Sequence, residues 1–175
     1  QQVNPITNKN IMPIPNKKRI LIAIPTAKYI EPETFKSIYD LNVPDDCEVT
    51  FQYFFGYRVD QVRNLIADWV ITGFDYLFSV DSDISFEKNT LQKLLAHDKD
   101  IVSGLYIQRI PGTQTVEIYE HNQFGGVVNI PYDRLKNQGL VSIASCGFGC
   151  VLVKKQVFQH VGYPQFEYHP AISHS

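Results

Sequence analysis

Phe74-Asp75-Tyr76-Leu77-Phe78-Ser79-Val80-Asp81-Ser82-Asp83 is the stretch on which the fold turns. Tyr76 to Val80 is a near-continuous apolar run of strand length, the pattern of a parallel strand buried on both faces. It stops at two carboxylates one residue apart. In open parallel sheets the chemistry gathers at the carboxyl ends of the strands, which is where this reading puts Asp81 and Asp83. Two hard oxygen donors with one spacer suit a shared divalent cation, Mn²⁺ or Mg²⁺.

Upstream, Arg19 to Ile24 reads as a first strand expected to stop at Pro25, with Pro25-Thr26-Ala27 as the loop leaving it. Glu31 to Leu41 reads as a short helix, with Pro32 in its first turn and Phe35, Ile38 and Leu41 on its core face. Cys47 to Phe54 is a second strand. Tyr57 to Thr72 is a helix with the stripe Val59, Val62, Ile66, Trp69 and Val70, ended by Gly73. Its first turns carry Asp60, Arg63 and Asn64 toward the edge where the strands end. Asp60 and Arg63 form either an i,i+3 surface pair, or Arg63 and Asn64 position a ligand or the loop bearing Asp81.

Downstream, Asn89 to Leu95 is a helix and Ile101 to Tyr106 a fourth strand. The alternation predicts an α/β fold: a Rossmann-like, mostly parallel sheet with helices on both faces. The pattern then changes. Thr115 to Tyr119, Val127 to Ile130, Val141 to Ser145 and Cys150 to Val153 read as short strands of a small antiparallel extension, and Lys154 to Val161 as a helix. Gly147 and Gly149 suit either a close backbone approach to a ligand or a tight strand crossing. Residues 1–18, rich in Asn, Pro and Lys, are expected to form an extended arm and residues 167–175 a tail. Between them lies one domain, 19–166, divided where the pattern changes into an alternating half (19–107) and a half of short strands (108–166).

Composition narrows the function. A formal net charge of -2 offers no general attraction to nucleic acid or anionic membrane. Three cysteines make no even disulfide framework, and no apolar run approaches the length of a membrane span. The first strand lacks the glycine-rich turn of a dinucleotide site or P-loop.

Arg63-Asn64 followed by Phe74 to Asp83 resembles the nucleotide-sugar-dependent glycosyltransferases of the GT-A fold, in particular small phage and bacterial members of the family-two-like group. Ile24-Pro25-Thr26, Ile101 to Tyr106 and Gly147 to Lys155 support the likeness. What it implies is a donor nucleotide sugar, UDP-linked by preference, bound by Pro25, Thr26, Ala27, Arg63, Asp81 and Ser82. Asp83, with Asp81, would ligate Mn²⁺ or Mg²⁺, and Gly104, Tyr106, Cys146 and Gly147 would line the sugar and acceptor side. The acceptor would be a glycan or a modified nucleobase, and the setting cytoplasmic, that of the host for a phage-encoded member. An acidic motif commonly follows the position of Phe166 in the group and supplies a general base. Glu167 is the residue here nearest that region, His169 and His174 lie beyond it, and the domain is expected to continue past Ser175.

Three other readings share the acidic turn. A phosphatase with Asp81 as nucleophile would normally carry its pair after the first strand, whereas here the pair follows the third. A nucleotidyltransferase would be expected to show a glycine-rich early loop with a basic residue, of which Lys28 is the only trace. A non-catalytic nucleotide-sugar-binding scaffold needs no base at all.

Overall fold

The computed structural model describes residues 17–108 and 114–168, so most of the expected N-terminal arm, together with His169 and His174, lies outside the described residues. The elements in chain order are β1 (Lys18–Thr26), α1 (Pro32–Tyr39), β2 (Cys47–Phe55), α2 (Val59–Gly73), β3 (Tyr76–Val80), α3 (Thr90–Ala96) and β4 (Ile101–Ser103). They continue with β5 (Ile118–His121), β6 (Val127–Asn129), α4 (Tyr132–Leu135), β7 (Ser145–Cys146), β8 (Cys150–Lys154) and α5 (Lys155–Val161). β3 is the middle strand of a five-stranded sheet ordered β2-β1-β3-β8-β4. β1 pairs in parallel with β2 and β3, and β8 pairs antiparallel with both β3 and β4. The sheet is therefore mixed.

Its two faces are read directly from the alternation along β1. Ile20, Ile22 and Ile24 pack with Leu91 and Leu94 of α3, and Ile38 of α1 lies against the same cluster. Leu21 and Ala23 pack with Ile66, Ala67 and Val70 of α2 and with Phe158 of α5. Each fully buried aliphatic side chain of this kind contributes about 1.5–3 kcal/mol, so two layers of them suffice to lock the register of β1 and β3. The arrangement is α/β/α, with helices on both faces as expected. No helix among the described residues is long and apolar enough to cross a membrane.

Four expectations need correcting. Cys150 to Val153 does not belong to an antiparallel extension: β8 is inserted in the main sheet between β3 and β4, buried on both faces like β3. The separate sheet holds only β6-β5-β7, over a small core of Val116, Ile118, Ile130 and Leu135, and the expected strand at Val141 to Ser145 shrinks to Ser145–Cys146. Pro25 does not end β1 but pairs opposite Phe54, because β3 has already dropped out at Ala23 and one side of the strand has no ladder to break. On α1, Phe35 is exposed and the buried positions are Thr34 and Ser37, whose hydroxyls serve the neighbouring loops.

Candidate functional site

The acidic turn is fastened from three directions. The Asp81 N–H donates to the Gly149 carbonyl at 3.0 Å, which ties the end of β3 to the start of β8. The Ser82 carbonyl accepts both the Glu31 N–H (2.8 Å) and the Thr34 hydroxyl (3.2 Å), so the loop before α1 and its first turn hold the backbone between the two acids. The Ile84 N–H closes the turn on the Asp81 carbonyl at 3.2 Å. Ser82 thus serves the site through its backbone.

Two clefts meet at this turn. One, of about 310 Å³, is bordered by Pro25, Thr26, Ala27, Tyr57 and Ser82, the other, of about 430 Å³, by Tyr106, Gln108, Glu117, Gly147 and Phe148. Arg63, Asp81 and Asp83 border both. A larger depression of about 760 Å³ around Glu33, Lys36 and Phe86 contains none of these three side chains.

Arg63 lies across the junction. Its guanidinium reaches Asp81 Oδ1 at 3.5 Å and sits 5.2 Å from the centre of the Phe148 ring, while its Nε is buried without a hydrogen-bond partner. Asp60 is not its partner; Asp60 pairs with Arg58 at 2.7 Å. Asn64 does not face the site either. Its side chain clamps the backbone of Phe166, donating to the carbonyl at 2.8 Å and accepting the N–H at 2.9 Å. Phe166 in turn packs edge-on against Phe148 at 5.1 Å, so the helix that supplies Arg63 also secures the ring beneath it.

The electrostatics single out Asp81. Burial pushes its carboxyl above the ordinary range, Arg63 pulls it down and Asp83 pushes it up again, with a net rise. Two carboxylates that repel each other in one cleft present the donor set of a hard divalent cation. Among the described residues no group of three or more His, Cys, Asp and Glu side chains is gathered to hold a metal ion. The two carboxylates are hard oxygen donors, of the kind a Mg²⁺- or Mn²⁺-type ion takes one or two of, together with substrate phosphates and water.

The second cleft is shaped by two glycines. A Cβ on Gly149 would lie 2.9 Å from Asp81 Oδ2 and 3.1 Å from the Tyr106 ring, and one on Gly147 would collide with the Tyr106 hydroxyl and the Glu117 side chain. The Tyr106 hydroxyl accepts the Gly149 N–H at 3.2 Å, and burial pushes its own ionisation up to about 12, so it stays a neutral donor. Glu117, which the sequence reading passed over, reaches this cleft because Val116 and Ile118 are both buried and the residue between them must point the other way. Its carboxylate accepts the Tyr119 hydroxyl at 2.6 Å.

The remaining expected residues are placed less directly. Gly104 donates its N–H to the Cys150 carbonyl and packs on the Cys150 sulfur, and Cys146 packs between the main core and that of the small sheet; neither borders the two clefts. The Thr26 hydroxyl is used within its own loop, donating to the Tyr29 carbonyl at 2.8 Å and accepting the Lys28 N–H. Glu167 is exposed and lies on neither cleft.

No protein-family model matches this chain, and no curated protein matches it in sequence. Among solved structures it is similar to A197 from STIV, with a TM-score of 0.56 and 17% identity over 85% of this chain and 71% of that one. That likeness supports the α/β fold. A 4-diphosphocytidyl-2C-methyl-D-erythritol synthase from Anaerococcus prevotii DSM 20548 also aligns, with a TM-score of 0.47 and 11% identity over 87% of this chain and 79% of that one.

Proposed function

We propose that the chain is a metal-dependent glycosyltransferase of GT-A type that moves a sugar from a nucleotide-sugar donor, UDP-linked by preference, to a hydroxyl acceptor. The observation that carries this reading is the position of Asp81 and Asp83 on the shared border of two clefts, with Arg63 between them. Transfer between two substrates needs such a junction. The cleft at Pro25, Thr26 and Ala27 takes the nucleotide, and the exposed ring of Tyr57 offers its base a stacking face. The diphosphate then lies at Asp83, and the sugar points toward Tyr106, Gly147 and Glu117.

Mn²⁺ or Mg²⁺ held by Asp83, with Asp81 beside it, would neutralise the charge gathering on the departing diphosphate. Arg63 adds a positive charge on the same side. The neutral Tyr106 hydroxyl and the bare backbone at Gly147 and Gly149 leave room for a polyhydroxyl group to approach closely. On the acceptor side, Glu117 is better placed than Glu167 to receive a hydroxyl, since it borders the cleft and Glu167 does not.

Incubation with UDP-, GDP- and CMP-sugars, each with and without Mn²⁺, tests this by measuring release of free nucleotide. Mn²⁺-dependent release from one donor class, abolished in Asp83→Asn, is the expected result. Release that is indifferent to both metal and Asp83, or none from any donor, would overturn the reading.

A further inference from the structure

Arg63 is held in an unusual way. Its contact with Asp81 is a single one at 3.5 Å, too long for a strong charge-assisted hydrogen bond, and its Nε is buried with nothing to donate to. A guanidinium with five donors therefore spends little of its capacity on Asp81. Its guanidinium carbon lies 5.2 Å from the centre of the Phe148 ring, which is packed on Phe166, whose backbone Asn64 clamps. The ring holds the guanidinium at the border of both clefts, where its donors can turn from Asp81 to another anion without leaving the ring.

Asp81 is asymmetric. Its backbone is pinned to Gly149, and its Oδ2 lies in the space a Cβ on Gly149 would need. Oδ1 is the oxygen turned to Arg63. Asp83 borders the same two clefts as Asp81, so the loss of Arg63 would leave two carboxylates there with one fewer cation beside them.

Resting on the reading that this junction takes a cation and a diphosphate, we propose that Arg63 and the divalent cation compete for the Asp81 carboxylate. Arg63 is in this sense a built-in counter-ion. It gives up Oδ1 when the cation takes the acidic pair, and its donors then turn to the nucleotide's phosphate oxygens. The exchange makes cation and nucleotide binding cooperative, because the guanidinium displaced by one is recruited by the other. Arg63 is thus a positioning residue with opposite effects on the two ligands.

Calorimetric titration tests this with Mn²⁺ alone, and then with UDP at saturating Mn²⁺, on the natural chain, Arg63→Gln and Arg63→Lys. Arg63→Gln is expected to bind Mn²⁺ alone about two- to fivefold more tightly, the size of a partly exposed ion pair. The same variant is expected to bind UDP with Mn²⁺ about tenfold more weakly, for want of a charged phosphate donor. Arg63→Lys keeps the charge beside Asp81, so its Mn²⁺ affinity stays near that of the natural chain while UDP binding still weakens. A merely structural role for Arg63 would lower both affinities together. Unchanged or weaker Mn²⁺ binding by Arg63→Gln of undiminished melting temperature would overturn the competition and leave the function standing. Failure of the natural chain to bind UDP with Mn²⁺ would instead overturn the function, and the competition with it.

Discussion

β3 carries an aspartate just outside each end, and the two are treated in opposite ways. At the entry, Asp75 accepts the Arg19 N–H at 2.8 Å and has the Arg19 guanidinium 3.4 Å away. Its backbone continues the same seam, donating to the Arg19 carbonyl and accepting from Lys155. Burial works against its ionisation, but those Arg19 contacts outweigh it, and its carboxyl sits below the ordinary range. At the exit, Asp81 is pushed the other way by burial and by Asp83, with Arg63 only partly offsetting both. One carboxylate is satisfied by the fold and stabilises it. The other has little to offset its burial among the described residues, which costs stability.

Breaking the exit should cost function first. Asp83→Asn is expected to weaken Mn²⁺-dependent nucleotide binding by at least about 100-fold, the upper end of what losing even an outer partner of a metal ligand costs. Calorimetry would show this with an unchanged melting temperature. Gly149→Ala is the next largest: its methyl meets Asp81 Oδ2 and Tyr106, and overpacking of that kind costs about tenfold in nucleotide affinity.

The stability comparison has two signs. Asp75→Asn is expected to lower the melting temperature at pH 7 by about 2–4 °C, because it removes the charge-assisted contacts to Arg19. The smallest effect on stability is a gain: Asp81→Asn is expected to raise it by about 1–3 °C while weakening cation binding. The pH dependence separates them. The carboxyl of Asp75 is depressed in the fold, so its stabilisation is present above the unfolded value and is lost as pH falls through the folded one. That of Asp81 is raised, so the associated stability is fully present below the unfolded value and is lost as pH rises through the folded one. Both differences from the natural chain should vanish in acid, that of Asp81 at the higher pH.

Much of this was legible in the chain because it depends on local pattern. The apolar run of β3 announced a strand buried on both faces, and its place as the third strand of an alternating series set Asp81 and Asp83 at a sheet edge. Arg63 was legible as a residue on the first turns of a helix facing that edge. What was not legible depends on pairing between distant segments. Nothing local says that β8 runs backward between β3 and β4, yet that insertion is what brings Phe148 and Gly149 against Arg63 and Asp81. Asn64 looked like a ligand contact because its real partner, Phe166, is 102 residues away. Pro25 looked like a strand terminator because the loss of one neighbour that makes it tolerable belongs to β3 and not to β1. Glu117 carried a signal that went unused, the alternation of Val116 and Ile118 around it.

The central claim is that Asp81 and Asp83 hold a cation against a nucleotide diphosphate at the junction of the two clefts. A crystal soaked with UDP and Mn²⁺ measures this directly through the manganese anomalous signal. The account predicts a peak at the carboxylates of Asp83 and Asp81, with the diphosphate beside it and the base in the cleft of Pro25, Thr26 and Tyr57. A nucleotide bound elsewhere, or bound there with no manganese at the acidic turn, would contradict it.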